Sequence, residues 1–273
     1  AARKSDFALR HLAIVGGGPI GAGIAAVALT AGLGVTLIGR DPPGLAAGLA
    51  RVARLQDGAV ARGTLDRERR EADWARLSAA ASLDSLGDTD LLIEAVGDDP
   101  GPKEALLRAI TERLPMGRPL LSVTCAGAPD RLALAAGRPD HHASLWLSEP
   151  VSRAALVEIV APDTALGALA GAQALAGRLG WRLLRQGPQP GFYGRRFWTV
   201  LQDAADRCLA VGALPHEVDR ALRAWGLPQG PYERSDVFGL DHVLFARPER
   251  RPDGLADPVA EALRHWMRAE GRL

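Results

Sequence analysis

The chain has 273 residues, 47% of them hydrophobic and 24% charged, with 33 Lys and Arg against 32 Asp and Glu. That is a globular composition, long enough for one large domain or two modest ones, and it excludes disordered and collagen-like chains. The near-zero balance gives no overall field that would draw the chain to nucleic acid or an anionic membrane. Cys125 and Cys208 are too few for a disulfide framework, and the opening residues carry Arg3, Lys4 and Asp6 where a signal core would be apolar. A cytoplasmic chain is expected. Apolar runs such as 91–96 are broken by charge well short of the roughly 20 residues of a spanning helix.

Leu12-Ala13-Ile14-Val15 is a short apolar run that ends in Gly16-Gly17-Gly18-Pro19-Ile20-Gly21 and continues into an alanine-rich stretch to Ala31. It reads as buried strand, tight turn and helix. Gly32-Leu33-Gly34 closes the helix and Val35-Thr36-Leu37-Ile38 supplies a second strand. Residues 43–77 read as helical, with Arg62, Arg67, Arg69 and Arg70 on a solvated face. Strands follow at 91–96, 120–124, 143–147, 156–160 and 181–184, with helices at about 103–114 and 164–179. Such alternation predicts a doubly wound sheet of parallel strands. After Gln186-Gly187-Pro188-Gln189-Pro190-Gly191 only helices are expected, at 192–213, 215–225, 235–246 and 257–269. The fold class is therefore α/β, a Rossmann-type doubly wound sheet followed by an all-helical C-terminal domain, with the boundary near residue 188.

Gly16-x-Gly18-x-x-Gly21 stands directly after a strand and before a helix, where a dinucleotide pyrophosphate is bound. The first glycine permits the turn, the second admits the phosphates, and the third lets helix and strand pack closely. Gly16, Gly18, Ile20 and Gly21 are the residues of this site. The end of the second strand normally carries an acid for the adenine ribose, and here it is Gly39, followed by Arg40. Two readings stand. Either Arg40 binds the 2′-phosphate of NADP, or Arg40 stacks on adenine or only faces water and NAD is held through Asp41.

Together these residues resemble the 3-hydroxyacyl-CoA dehydrogenases. The likeness is carried by Gly16 to Gly21, by Ile93-Glu94-Ala95-Val96 with Lys103, and by Arg138-Pro139 leading to Pro150-Val151 and Leu156-Val157-Glu158-Ile159-Val160. It continues in Pro190-Gly191-Phe192, in Val211-Gly212 before Val218-Asp219, and in Gly230-Pro231-Tyr232-Glu233 to Gly239-Leu240-Asp241. The resemblance implies hydride transfer between a 3-hydroxyacyl thioester and nicotinamide, a homodimer built on the helical domain, and coenzyme A contacts from the arginine-rich segment. It assigns Glu94 and Lys103 to the nicotinamide ribose and no ligand to a metal.

The departures fall on the reacting groups. The family's proton-accepting histidine matches Trp146, its serine matches Cys125, its two asparagines match Glu149 and Arg195, and only the orienting glutamate is kept, as Glu158. Indole has no basic lone pair, so Trp146 cannot accept the hydroxyl proton. His142 stands about 13 Å up the strand and His141 faces the other way; both read as solvent-exposed. Glu149 and Arg195 are expected to touch, since each charge alone is costly in a cleft, and the pair either plugs the pocket or supplies a base and an anion-holding cation. Cys125 reads as small-residue packing and Cys208 as core. Two functions are carried forward: an NAD(P)-dependent oxidoreductase of altered chemistry acting on a small molecule such as an acyl-CoA, and a catalytically idle dinucleotide-binding relative.

Overall fold

The computed structural model describes residues 7–124, 129–148, 150–187, 192–238 and 258–270. The chain divides into two compact units, Ala1–Pro190 and Gly191–Leu273.

In the first unit, β1 (His11–Val15), α1 (Pro19–Thr30) and β2 (Gly34–Ile38) form the opening βαβ turn of the chain. The stretch over 43–77, expected to be helical, holds two helices, α2 (Pro42–Ala61) and α3 (Arg67–Trp74), followed by an edge strand, β3 (Leu77–Ala80). The break has a local cause. Gly63 takes φ +70°, a conformation other residues rarely adopt, and Asp66 restarts the helix by accepting the Arg69 amide at 2.7 Å. The unit continues with β4 (Leu91–Glu94), α4 (Pro100–Arg113), β5 (Leu120–Val123), α5 (Pro129–Ala136), β6 (His142–Leu147), β7 (Leu156–Val160), α6 (Leu166–Leu179) and β8 (Arg182–Gln186).

These strands make one sheet in the order β3-β2-β1-β4-β5-β6-β7-β8. All neighbours are parallel except β6 and β7, which correct the expectation of a wholly parallel sheet. The connection between them, residues 148–155, is only eight residues long, too little chain for the crossover that a parallel pair requires. One face of the sheet packs Leu12, Ile14, Val35, Leu37, Ile93 and Leu121 against α1 and α6, and the other packs Ala13, Val15, Leu92 and Leu120 against α4 and α5.

The second unit contains α7 (Tyr193–Ala210), α8 (Pro215–Trp225), α9 (Pro231–Phe238) and α10 (Pro258–Ala269). The tail motif acts here as a helix cap. Asp219 accepts the amides of Tyr232 and Glu233, each at 3.0 Å, and a Cβ on Gly230 would lie 2.2 Å from its carboxylate oxygen. Tyr232 donates its hydroxyl to Asp206 at 3.1 Å, and burial with that carboxylate beside it raises the phenol pKa. Cys208 is exposed, against the expectation of a core position: the buried face of α7 is taken by Arg195, Gln202, Asp203, Ala205 and Asp206.

Candidate functional site

At the C-terminal ends of β1 and β4 the strand order reverses direction, and β1 runs into the glycine loop. Such a switch point is where open α/β sheets hold ligands. Gly16 has φ +111°, and a Cβ there would strike the Ala95 carbonyl at 2.7 Å; a Cβ on Gly21 would lie 1.9 Å from the Gly16 carbonyl oxygen. Both glycines are demanded by backbone closeness. Gly18 differs, for nothing lies within 4 Å of where its Cβ would be. It is the N-cap of α1 and offers no side-chain cap, Pro19 brings no N–H, and the helical ladder opens with the Ala22 amide donating to the Gly18 carbonyl at 2.9 Å. The amides of Ile20 and Gly21 therefore precede the helical ladder and point, with the positive end of α1, toward the open space over Gly18. These residues fit a dinucleotide pyrophosphate.

The rim beside this loop is cationic. Arg40 follows β2 with its side chain 94% exposed, donating Nε to Asp41 at 3.1 Å. Asp41 caps α2 by accepting the Gly44 amide at 2.7 Å, and that bond, with Arg40 next, holds its carboxyl below the usual carboxylate range. From α2, Arg51 donates to the Gly17 carbonyl at 3.0 Å, a contact that sequence reasoning missed because it joins residues far apart in the chain.

Glu94 and Lys103 are not surface charges. Both are almost wholly buried, 2.9 Å apart, and Lys103 also donates to the carbonyls of Val96 at 3.2 Å and Val123 at 2.8 Å. Glu94 in turn accepts the Val96 amide at 2.7 Å. The pair thus ties the ends of β4 and β5 beside the glycine loop. Burial raises the Glu94 pKa, and the Lys103 charge opposes the shift.

Further along the same sheet face, register places Glu94, Ser122, Ser144, Val160 and Gln186 in one row and Trp146, Glu158 and Leu184 in the next. Trp146 is buried and stands directly opposite Glu158. Glu158 accepts the Gln186 amide at 3.1 Å. His142 corrects the expectation of an exposed residue: it is 1% exposed, with Nε2 3.0 Å from the Ser122 hydroxyl. It is the first residue of β6, which is buried throughout because β5 and β7 flank it. His141 is half-buried, its ring against Gly167. The alternation of His142, Ser144 and Trp146 with Ala143, Leu145 and Leu147 was the available signal for this polar stripe.

Burial, and then the Lys103 charge, push the His142 pKa down to about 4. The unfolded chain protonates this ring near 6.5, so it binds more protons than the folded chain between those values, and folding stability falls as pH drops through that window. Acidification from pH 7 to pH 5 is expected to cost about 2 kcal/mol through this residue. Denaturant midpoints for the wild type and His142→Phe check it: the variant should lose that part of the slope, and identical slopes would refute the assignment.

A family model described as 3-hydroxyacyl-CoA dehydrogenase, NAD binding domain, matches residues 11–183, and one described as 3-hydroxyacyl-CoA dehydrogenase, C-terminal domain, matches residues 191–269. The chain belongs to this family. A peroxisomal bifunctional enzyme of Danio rerio is 30% identical over 266 residues, 97% of this chain and 36% of that protein. This 3-hydroxyacyl-CoA dehydrogenase homologue thus spans little more than a third of the length of the curated relatives it matches. Among solved structures, FadB2 of M. tuberculosis superposes with a TM-score of 0.85 at 26% identity, covering 97% of this chain and 95% of that one. An (S)-3-hydroxybutyryl-CoA dehydrogenase from Ralstonia eutropha gives 0.80 at 28% identity, with the same coverage.

Of the residues matched to this family's reaction centre, Trp146 and Glu158 meet across the β6–β7 ladder. Arg195 is buried in α7 of the second unit. Cys125 and Glu149 lie outside the described residues, and with Glu149 so does the expected pairing to Arg195. In the arginine-rich segment, Arg69 is 3.1 Å from Asp73, and Arg70 is 3.0 Å from Asp57 and lies over the Trp74 ring. Both cations are engaged by groups of α3 itself or of the neighbouring helix α2. Among the described residues no helix is long and apolar enough to cross a membrane.

Proposed function

We propose that this chain is an NAD(P)-dependent oxidoreductase of the 3-hydroxyacyl-CoA dehydrogenase type that transfers hydride without a histidine to manage the proton. The observation that carries the reading is the glycine cradle, open over Gly18 and lying beside the braced end of β4. A bound nicotinamide dinucleotide supplies the hydride acceptor or donor. The backbone of Gly18, Ile20 and Gly21 holds its pyrophosphate, and Lys103 with Glu94 keeps the floor of the crevice rigid.

Proton transfer is where this chain differs. General acid or base assistance contributes about 10²- to 10⁴-fold, and an indole opposite Glu158 supplies none of it. Glu149 is the residue assigned here as the replacement base. A second reading is favoured by Trp146 and by the Gln186 amide on Glu158: a homologue that binds the dinucleotide and no longer turns over. Phe197 and Val200 of α7, 51% and 58% exposed, support assembly of two copies through the helical unit.

Mixing the protein with NADH or NADPH and acetoacetyl-CoA and following nicotinamide absorbance separates the readings. Slow oxidation that disappears in Glu149→Gln is the expected result. No oxidation, together with a rise in melting temperature on adding cofactor, establishes the idle relative instead.

A further inference from the structure

We propose that the adenosine end of this site is built for a 2′-phosphorylated dinucleotide, with Arg40 as the phosphate-binding residue. This rests on the reading that the chain binds a nicotinamide dinucleotide. The residue ending β2 ordinarily offers a carboxylate to the ribose hydroxyls, and a carboxylate there repels a 2′-phosphate. In this chain it is Gly39, and more than the carboxylate is missing: there is no room for one. A Cβ at residue 39 would lie 2.7 Å from Cβ, 2.8 Å from Cα and 2.9 Å from the amide nitrogen of Leu45, so the first turn of α2 fills the space a side chain would need.

The nearest carboxylate, Asp41, is already committed. One oxygen caps α2 through the Gly44 amide at 2.7 Å, and the other accepts Arg40 Nε at 3.1 Å. Each oxygen thus accepts one bond already, which fixes the carboxylate at the cap and beside Arg40 and limits its freedom to turn toward a ribose. Arg40 is in the opposite position. Because Nε is bound to Asp41 and the side chain is 94% exposed, its two terminal nitrogens face outward in the planar fork that grips a phosphate bidentately. Asp41 offsets part of that charge and also fixes the direction of the guanidinium. Arg51, bonded to the Gly17 carbonyl at 3.0 Å, adds a second cation beside the glycine loop. The family model carries NAD in its description, and a preference for the 2′-phosphorylated form would set this chain apart from it.

The test is direct binding, read by nicotinamide fluorescence and by thermal shift with 2′,5′-ADP and 5′-AMP. NADPH is expected to bind about tenfold or more tightly than NADH, with 2′,5′-ADP raising the melting temperature more than 5′-AMP. Arg40→Gln should bring the two cofactors close to parity by weakening NADPH alone. Because Arg40 is exposed, this variant keeps the fold. Gly39→Asp should lower the melting temperature without gaining NADH affinity. Equal or tighter binding of NADH, or an Arg40→Gln variant that weakens both cofactors alike, overturns the inference and leaves the dinucleotide reading intact. A Gly39→Asp protein of undiminished stability that prefers NADH overturns the steric argument and the inference with it. Failure of both cofactors to bind overturns the dinucleotide reading itself.

Discussion

Trp146→His is expected to raise the rate of acetoacetyl-CoA reduction by about two to four orders of magnitude, the range that a positioned general acid contributes. The expectation comes from the ladder between β6 and β7. Residue 146 is the direct partner of Glu158, and side chains so paired on one face of an antiparallel ladder have Cβ atoms about 4.5–5.5 Å apart. An imidazole there lies within reach of a buried carboxylate, which selects its tautomer and stabilises the cation formed when it holds a proton. The exchange also leaves unfilled volume, at a cost of about 2 kcal/mol or more, so rates must be read well below the melting temperature. The pH profile supplies a second readout: the variant should acquire an imidazole limb that the wild type lacks, displaced upward from the ordinary value by the Glu158 carboxylate. Trp146→Phe is the control, since it changes volume without adding a base. If the phenylalanine variant gains as much, or the histidine variant gains nothing, the missing imidazole is not what limits the reaction.

Lys103→Met is expected to destabilise the first unit by about 3–5 kcal/mol, the usual cost of removing one member of a buried ion pair. Glu94 would keep the Val96 amide at 2.7 Å and lose the ammonium at 2.9 Å, while the Val123 carbonyl loses its bond at 2.8 Å. Burial already raises the Glu94 pKa against the pull of Lys103, so without the lysine it rises further. A carboxyl whose folded pKa exceeds the unfolded value of about 4.3 destabilises increasingly as pH climbs above that value. The deficit should therefore be largest at neutral pH and shrink on acidification. Denaturant unfolding of the variant across pH checks both size and sign. The double variant Glu94→Leu/Lys103→Met removes the stranded charge as well and is expected to recover most of the loss. A single variant within about 1 kcal/mol of wild type would mean that the pair is not the brace described here.

Motif residues that looked alike in the sequence divide into two kinds in the structure. Arg138 donates to the carbonyls of Thr111 at 2.6 Å, Leu114 at 2.5 Å and Pro115 at 3.1 Å, closing the end of α4, and Asp219 caps α9. Both serve the frame. Gly16, Gly18 and Gly21 serve the crevice, and the difference between them is spatial: two are pressed against backbone and one is open. No pattern of letters separates these cases, because a helix cap and a phosphate turn use the same small or polar residues. His142 shows the converse. Its place at a strand start read as exposed, yet burial depends on having neighbours on both sides, which only the sheet order provides.

Local rules were sufficient for much of this protein. Period-two and helical alternation set the α/β layering and the glycine spacing marked the nucleotide turn; once the family resemblance matched Trp146 to the proton acceptor, indole chemistry excluded it from that role. What required the folded chain were relations between distant residues: the antiparallel reversal of β7, the burial of Glu94 with Lys103, the Gln186 amide on Glu158, and the reach of Arg51 to Gly17. Their physical reason is common. Each depends on which strand or helix lies alongside, and that adjacency is decided when whole faces pack against one another.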